Sequence, residues 1–196
     1  MSLLFYYPNR PILVPPDPDC PLKPKPDYIN GLEKTGIYIA EQKWNGDNVC
    51  IHTSGLEFFN RRGEKHRYVP TEEVRDELEK FPKKAIVNAE LLHYKTKKIK
   101  NTIICHSVLA WNGRPLSGKT WGDARRILED QEFGNQVQLS PVWKSGFWQL
   151  FQDADGEVIE GIILKNPTGK IVISASKIPD VSYMLKIRKP SKKYSF

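Results

Sequence analysis

Lys43 sits in the segment Glu41-Gln-Lys43-Trp-Asn-Gly46, between the end of one expected strand and the start of the next. An amine so placed is a solvated loop lysine or a nucleophile, and its own segment does not decide between them. Further along, Asn60-Arg61-Arg62-Gly63 places Arg61 two residues before a glycine in a turn. Ala89-Glu90-Leu91 puts a carboxylate inside an apolar run, where an unpaired charge is expensive. Glu160-Gly-Ile-Ile-Leu-Lys165 sets a carboxylate and an amine at the two ends of an apolar strand. In Leu185-Lys186-Ile187-Arg188 the alternation sends Lys186 and Arg188 to one face. Taken singly, each is equally well a satisfied structural ion pair. Together they read as one site.

The elements that must carry these groups are short. Strands are expected at 37–40, 47–52, 56–60, 85–92, 102–109, 160–165, 170–174 and 183–188. Asn45-Gly46 reads as a hairpin turn, and Asn-Pro-Thr-Gly as the link of a second hairpin joining 160–165 to 170–174. Helices are expected over about 70–80, with Glu72 and Glu73 in the first turn, and over 121–130. The pattern predicts an α+β fold of antiparallel sheets with flanking helices. Eight of the fifteen prolines lie between Pro8 and Pro26. The expected division is therefore a proline-rich, extended N-terminal arm at 1–30, one globular domain at 31–190 and a basic tail at 191–196.

Gly113-Arg-Pro-Leu-Ser-Gly118-Lys119-Thr120 matches the phosphate-loop pattern G-x-x-x-x-G-K-[ST]. A phosphate-loop NTPase is thus an alternative. It lacks support, because no later apolar strand ends in a magnesium-holding Asp and the chain is not a series of βαβ units. Pro115 also removes a backbone N–H from any anion nest.

The net charge of +7 favours an acidic partner, nucleic acid before others. Lys95, Lys97, Lys98 and Lys100 form one basic run, and Lys189, Lys192 and Lys193 another. Three cysteines without C-x-x-C spacing argue against a disulfide framework and for a reducing compartment. No apolar stretch reaches the length of a membrane span and no leader is visible, so a cytoplasmic protein is expected.

Over about residues 37–190 the sequence resembles the covalent nucleotidyltransferase superfamily of ATP-dependent DNA ligases, RNA ligases and mRNA capping enzymes. The K-x-D-G nucleophile motif resembles Lys43-Trp44-Asn45-Gly46, with Asn45 where the family usually has Asp. The R-x-G segment resembles Arg61-Arg62-Gly63, and D-G-E resembles Asn88-Ala89-Glu90. E-G-[VI]-[VI]-x-K resembles Glu160 to Lys165, and K-x-K resembles Lys186-Ile187-Arg188.

The resemblance implies that Lys43 takes AMP from ATP, and that the AMP passes to a 5′-phosphate end and is displaced by a 3′-hydroxyl. Only the neutral amine attacks, and nearby cations favour that form; Lys186 and Arg188 would supply them and hold the α-phosphate oxygens. Glu160 is the implied partner of magnesium (or manganese). Arg61 and Glu90 would hold ribose or phosphates, Lys165 a phosphate or Glu160, Glu41 the adenine amine, and His106 the adenine face. Asn48, five after the nucleophile, resembles the nick-sealing RNA ligases, whereas Glu41 and Arg61-Arg62-Gly63 resemble DNA ligases. With eight residues after Arg188, the OB-fold domain usual in DNA ligases and capping enzymes is not expected, which favours RNA in a nicked duplex. A domain of this kind would adenylylate itself but depend on a partner protein or its proline arm for sealing. The remaining alternative is a catalytically silent nucleic-acid-binding module.

Overall fold

The computed structural model describes residues 4–14 and 26–189. In chain order the first elements are β1 (Arg10–Leu13), α1 (Pro26–Lys34), β2 (Ile39–Trp44), β3 (Asp47–His52), β4 (Glu57–Asn60), α2 (Glu72–Glu79) and β5 (Ile86–Leu92). There follow β6 (Thr102–Trp111), β7 (Arg114–Pro115), α3 (Trp121–Glu129), β8 (Val137–Leu139), β9 (Val142–Trp143), α4 (Phe147–Asp153), β10 (Ile159–Lys165) and β11 (Asp180–Arg188). The expected α+β architecture of antiparallel sheets and flanking helices is present; only the β6–β8 pair is parallel among the named pairings.

Where an arm at 1–30, one domain at 31–190 and a tail at 191–196 were expected, the described residues of 31–189 do not form a single unit. The chain forms two compact units interleaved along the sequence. Among the described residues, one comprises 4–10, Gly46–Ser140 and Thr168–Asp180; the other comprises 11–14, 26–45, Pro141–Pro167 and 181–189. Within the expected arm, β1 is an edge strand and α1 a helix, while 15–25 and the tail 190–196 lie outside the described residues.

In the second unit the sheet order is β1-β11-β10-β2-β9. The strand period of two separates its faces. Ala40, Ile162, Leu164 and Ile187 are buried against Ile29 of α1 and Phe147, Leu150 and Phe151 of α4. Each of the isoleucine, leucine and phenylalanine side chains contributes about 1.5–3 kcal/mol on burial. Paired rows Lys43–Gly161–Arg188 and Glu41–Ile163–Lys186 share the opposite face. That face carries the charges.

In the first unit the order is β4-β3-β5-β6-β7, with β8 beside β6. Val49, Ile51, Val87, Ala89 and Cys105 pack into a core with Val74 and Leu78 of α2 and Ala124 and Leu128 of α3. Thr71 caps α2 by accepting from the Val74 amide, and a Thr120–Asp123 capping box starts α3.

Neither expected hairpin forms. β2 pairs with β9 and β10, whereas β3 pairs with β4 and β5, so Asn45-Gly46 hands the chain from one sheet to the other. The glycine serves close approach: a Cβ at Gly46 would stand 2.5 Å from the Leu91 carbonyl oxygen. β10 pairs with β2 and β11, and 170–174 is not a strand; Lys170 makes a single bridge to Thr120. The phosphate-loop match also dissolves. Asn112 and Gly113 take φ of 49° and 78° as a two-residue turn between β6 and β7, and Thr120 is the helix cap.

Candidate functional site

Lys43, Glu160 and Arg188 come from three adjacent strands, β2, β10 and β11. Lys43 Nζ lies 2.5 Å from Glu160 Oε2, and Arg188 Nε lies 3.3 Å from the same oxygen. All three side chains are partly buried, between 15% and 29% exposed, so their charges are shielded from full solvent screening while remaining reachable.

A defect in strand pairing creates this contact. Ile159 opposes Trp44 and Gly161 opposes Lys43, which leaves Glu160 as the extra residue of a β-bulge. Regular alternation would turn Glu160 away from Lys43; the bulge re-aims it. Gly161 completes the arrangement, with φ of 151° and no room for a side chain, since a Cβ would fall 2.1 Å from the Ile187 carbonyl oxygen. Between Lys43 and Arg188 the middle strand therefore presents bare backbone. That permits a close approach of phosphate or ribose.

The loop before the bulge is held from two sides. Asp155 Oδ1 accepts from the amides of Glu157, Val158 and Ile159 at 2.8, 2.8 and 2.9 Å. Partial burial works to raise the Asp155 pKa, but the three donors, helped by Lys189, outweigh it and hold the group below the usual carboxylate range. Asn45 donates from its backbone N to the Val158 carbonyl and from Nδ2 to the Glu157 carbonyl, at 2.8 and 2.7 Å. An aspartate at position 45 has no donor for that second bond, which gives the Asn a physical reason here. Sequence reading missed Asp155 and gave Gly161, within the quoted Glu160–Lys165 segment, no role of its own. The Asp153-Ala-Asp155-Gly156 turn composition was the available signal for Asp155.

Deeper on the same face, Lys165 Nζ meets Glu41 Oε2 at 2.8 Å, with side chains 4% and 3% exposed. Lys186 lies in the row of Glu41, two residues along β11 from Arg188. Five nominated residues besides Lys43 thus share its sheet face or its bulge.

The other nominees belong to the first unit. Asn48 and Glu90 are directly opposed on β3 and β5. Glu90 Oε1 accepts from the Gly46 amide at 3.0 Å. Asn48 Oδ1 accepts from Asn88 Nδ2 at 3.2 Å. His106 is half-buried and is itself the extra residue of a bulge, because Cys105 opposes Ala89 and Ser107 opposes Asn88. Arg61 is exposed in a turn whose amides are capped by Asn60 Oδ1.

The Lys43 cluster can hold a polyanion with two cations and offer an amine on a rigid strand to an electrophile. Among the described residues no group of three His, Cys, Asp or Glu is placed to hold a metal by itself. A single carboxylate suits a magnesium ion held mainly by phosphates and waters, and Glu160 supplies one. A concavity of about 610 Å³ lined by Asp27, Asn30, Gly31, Glu33, Lys34, Lys144 and Ser145 includes none of the nominated residues. It is not the chemical site proposed below. No helix among the described residues is long and apolar enough to cross a membrane.

No protein-family model matches the sequence, and no curated protein does. Solved structures do. The ligase domain of LigD from M. tuberculosis aligns with a TM-score of 0.57 at 15% identity, over 77% of this chain and 53% of that one. A structure from a study of Lig E DNA ligases aligns at 0.55 and 11% identity, over 79% and 62%. Chlorella virus DNA ligase-adenylate aligns at 0.50 and 15%, over 93% and 69%. The chain has the nucleotidyltransferase-domain fold of polynucleotide ligases, and it spans between half and two thirds of the first two proteins.

Proposed function

We propose that this protein is an ATP-dependent polynucleotide ligase working through a covalent lysyl-AMP at Lys43. The observation that supports this above all is the convergence of Lys43, Glu160 and Arg188 on one sheet face of a ligase-type fold. In the first step the Lys43 amine, released as its neutral form from the 2.5 Å pairing with Glu160, bonds to the α-phosphorus of ATP, the bond to the departing pyrophosphate breaks, and the nitrogen gives up a proton to solvent. Arg188 and Lys186 stabilise the charge developing on the α-phosphate oxygens. AMP then passes to a 5′-phosphate, and a 3′-hydroxyl displaces it to close the strand. Magnesium bound through Glu160 would neutralise phosphate charge. Glu41, Asn48, Arg61, Glu90, His106 and Lys165 are proposed to contact the nucleotide, on the resemblance of their segments. Asn48 favours an RNA strand in a nicked duplex; Glu41 and Arg61 support DNA as the second reading.

Incubation with α-labelled ATP and magnesium should give an acid-labile protein–AMP adduct that is absent in Lys43→Ala. No adduct with ATP, GTP or NAD would leave a silent nucleic-acid-binding module as the better account. Nicked duplexes with RNA or DNA on each side of the break then identify the substrate, and preferential sealing of an all-DNA nick would overturn the RNA assignment.

A further inference from the structure

Within the Gly46–Ser140 unit, two tripeptides, His66-Arg67-Tyr68 and His93-Tyr94-Lys95, lie side by side. Their flanking residues are anchored. Tyr68 is buried, packs edge-on against His93 with ring centroids 5.1 Å apart, and donates its amide to His66 Nδ1 at 3.1 Å. The His66 amide donates to the Phe58 carbonyl, and its ring lies 5.9 Å from that of Tyr94. The central residues point outward. Arg67 is exposed with its guanidinium carbon 4.3 Å from the centre of the Tyr94 ring, and Tyr94 is 40% exposed.

The basic run that follows is an ordered loop. Thr96 is buried and its hydroxyl donates to the Ile99 carbonyl at 2.6 Å. Lys95 donates to the Gly46 carbonyl and pairs with Asp47, and Lys100 donates to the His93 carbonyl. These two lysines thus hold the loop, while Lys97 and Lys98 are exposed on it. A planar cation laid on an aromatic ring, beside two outward lysines, combines stacking with phosphate attraction.

We propose that Arg67 and Tyr94 form a stacking platform for an unpaired base of a polynucleotide, with Lys97 and Lys98 meeting its phosphates, a choice of partner that rests on the polynucleotide chemistry proposed for Lys43. Paired bases hide their faces inside the duplex, so this surface selects single-stranded segments or frayed ends. The test is fluorescence anisotropy of the full chain at one fixed salt concentration. The probes are a labelled single strand of about twelve nucleotides, an abasic strand of the same length, and a blunt duplex. The single strand should bind more tightly than either of the others. Tyr94→Leu and Arg67→Lys should each weaken it by about fivefold to a hundredfold, and Tyr94→Phe should retain it. Equal binding of the single and abasic strands, or unchanged binding by Tyr94→Leu, would overturn the platform; the abasic comparison decides even if a variant fails to fold. Adduct formation is scored in parallel. An intact adduct without base-dependent binding sinks the platform alone, and base-dependent binding without an adduct sinks the ligase reading alone.

Discussion

The buried pair of Glu41 and Lys165 gives a sharp energetic test. Their charged atoms lie 2.8 Å apart and the side chains are 4% exposed or less. Removing one partner takes the closest opposite charge away from the other in a buried site, a change that costs about 3–5 kcal/mol. Replacing both with apolar residues of similar volume is near neutral or stabilising by about 1–4 kcal/mol. Glu41→Leu and Lys165→Met should therefore each destabilise the protein severely, and the double variant should recover most of the loss. For a chain this size each kcal/mol moves the melting midpoint by about 2–4 °C, so the single variants should melt about 6–20 °C lower. Circular dichroism melts of all four proteins at neutral pH form a double-mutant cycle. A coupling energy below about 1 kcal/mol, or additive losses in the double variant, would refute the assignment of this pair to a desolvated ion pair.

Gly161→Ala should cost on the order of 3 kcal/mol and abolish adduct formation, because the added methyl meets the Ile187 carbonyl at a φ unfavourable to alanine; thermal melts and labelled ATP read the two effects. Asp155→Ala should cost about 1 kcal/mol, a modest figure because the carboxylate is largely open to solvent. Since the folded pKa of Asp155 is lowered, its contribution is present above the ordinary value of about 4 and is lost as pH falls through the lower folded value. Wild type should lose more stability than Asp155→Asn between pH 5 and about pH 2, as urea midpoints at stepped pH would show. Burial pushes the Cys50 and Cys105 thiols up to about 12, so neither should react with a thiol reagent at pH 8 until urea is added.

Much of this molecule is written in local pattern. Alternation alone sends Lys186 and Arg188 to one face, and the Thr120–Asp123 spacing alone starts a helix, because side-chain period and capping depend on residues within one turn or strand. The strands carrying Glu90, Glu160 and Arg188 were legible for the same reason, whereas Lys43, expected between strands, lies within β2, which begins and ends later than expected, and α1, α4, β1, β7, β8 and β9 went unread. What tertiary structure decided was partnership. Asn-Gly at 45–46 serves a glycine turn or a close backbone approach equally well, and only β5 lying 2.5 Å from a would-be Cβ selects the second. Glu160 reaches Lys43 because pairing with β2 slips by one residue there, and Lys165 meets Glu41 because β10 lies beside β2. The last two choices are made between segments more than a hundred residues apart, where no local period carries information about the register.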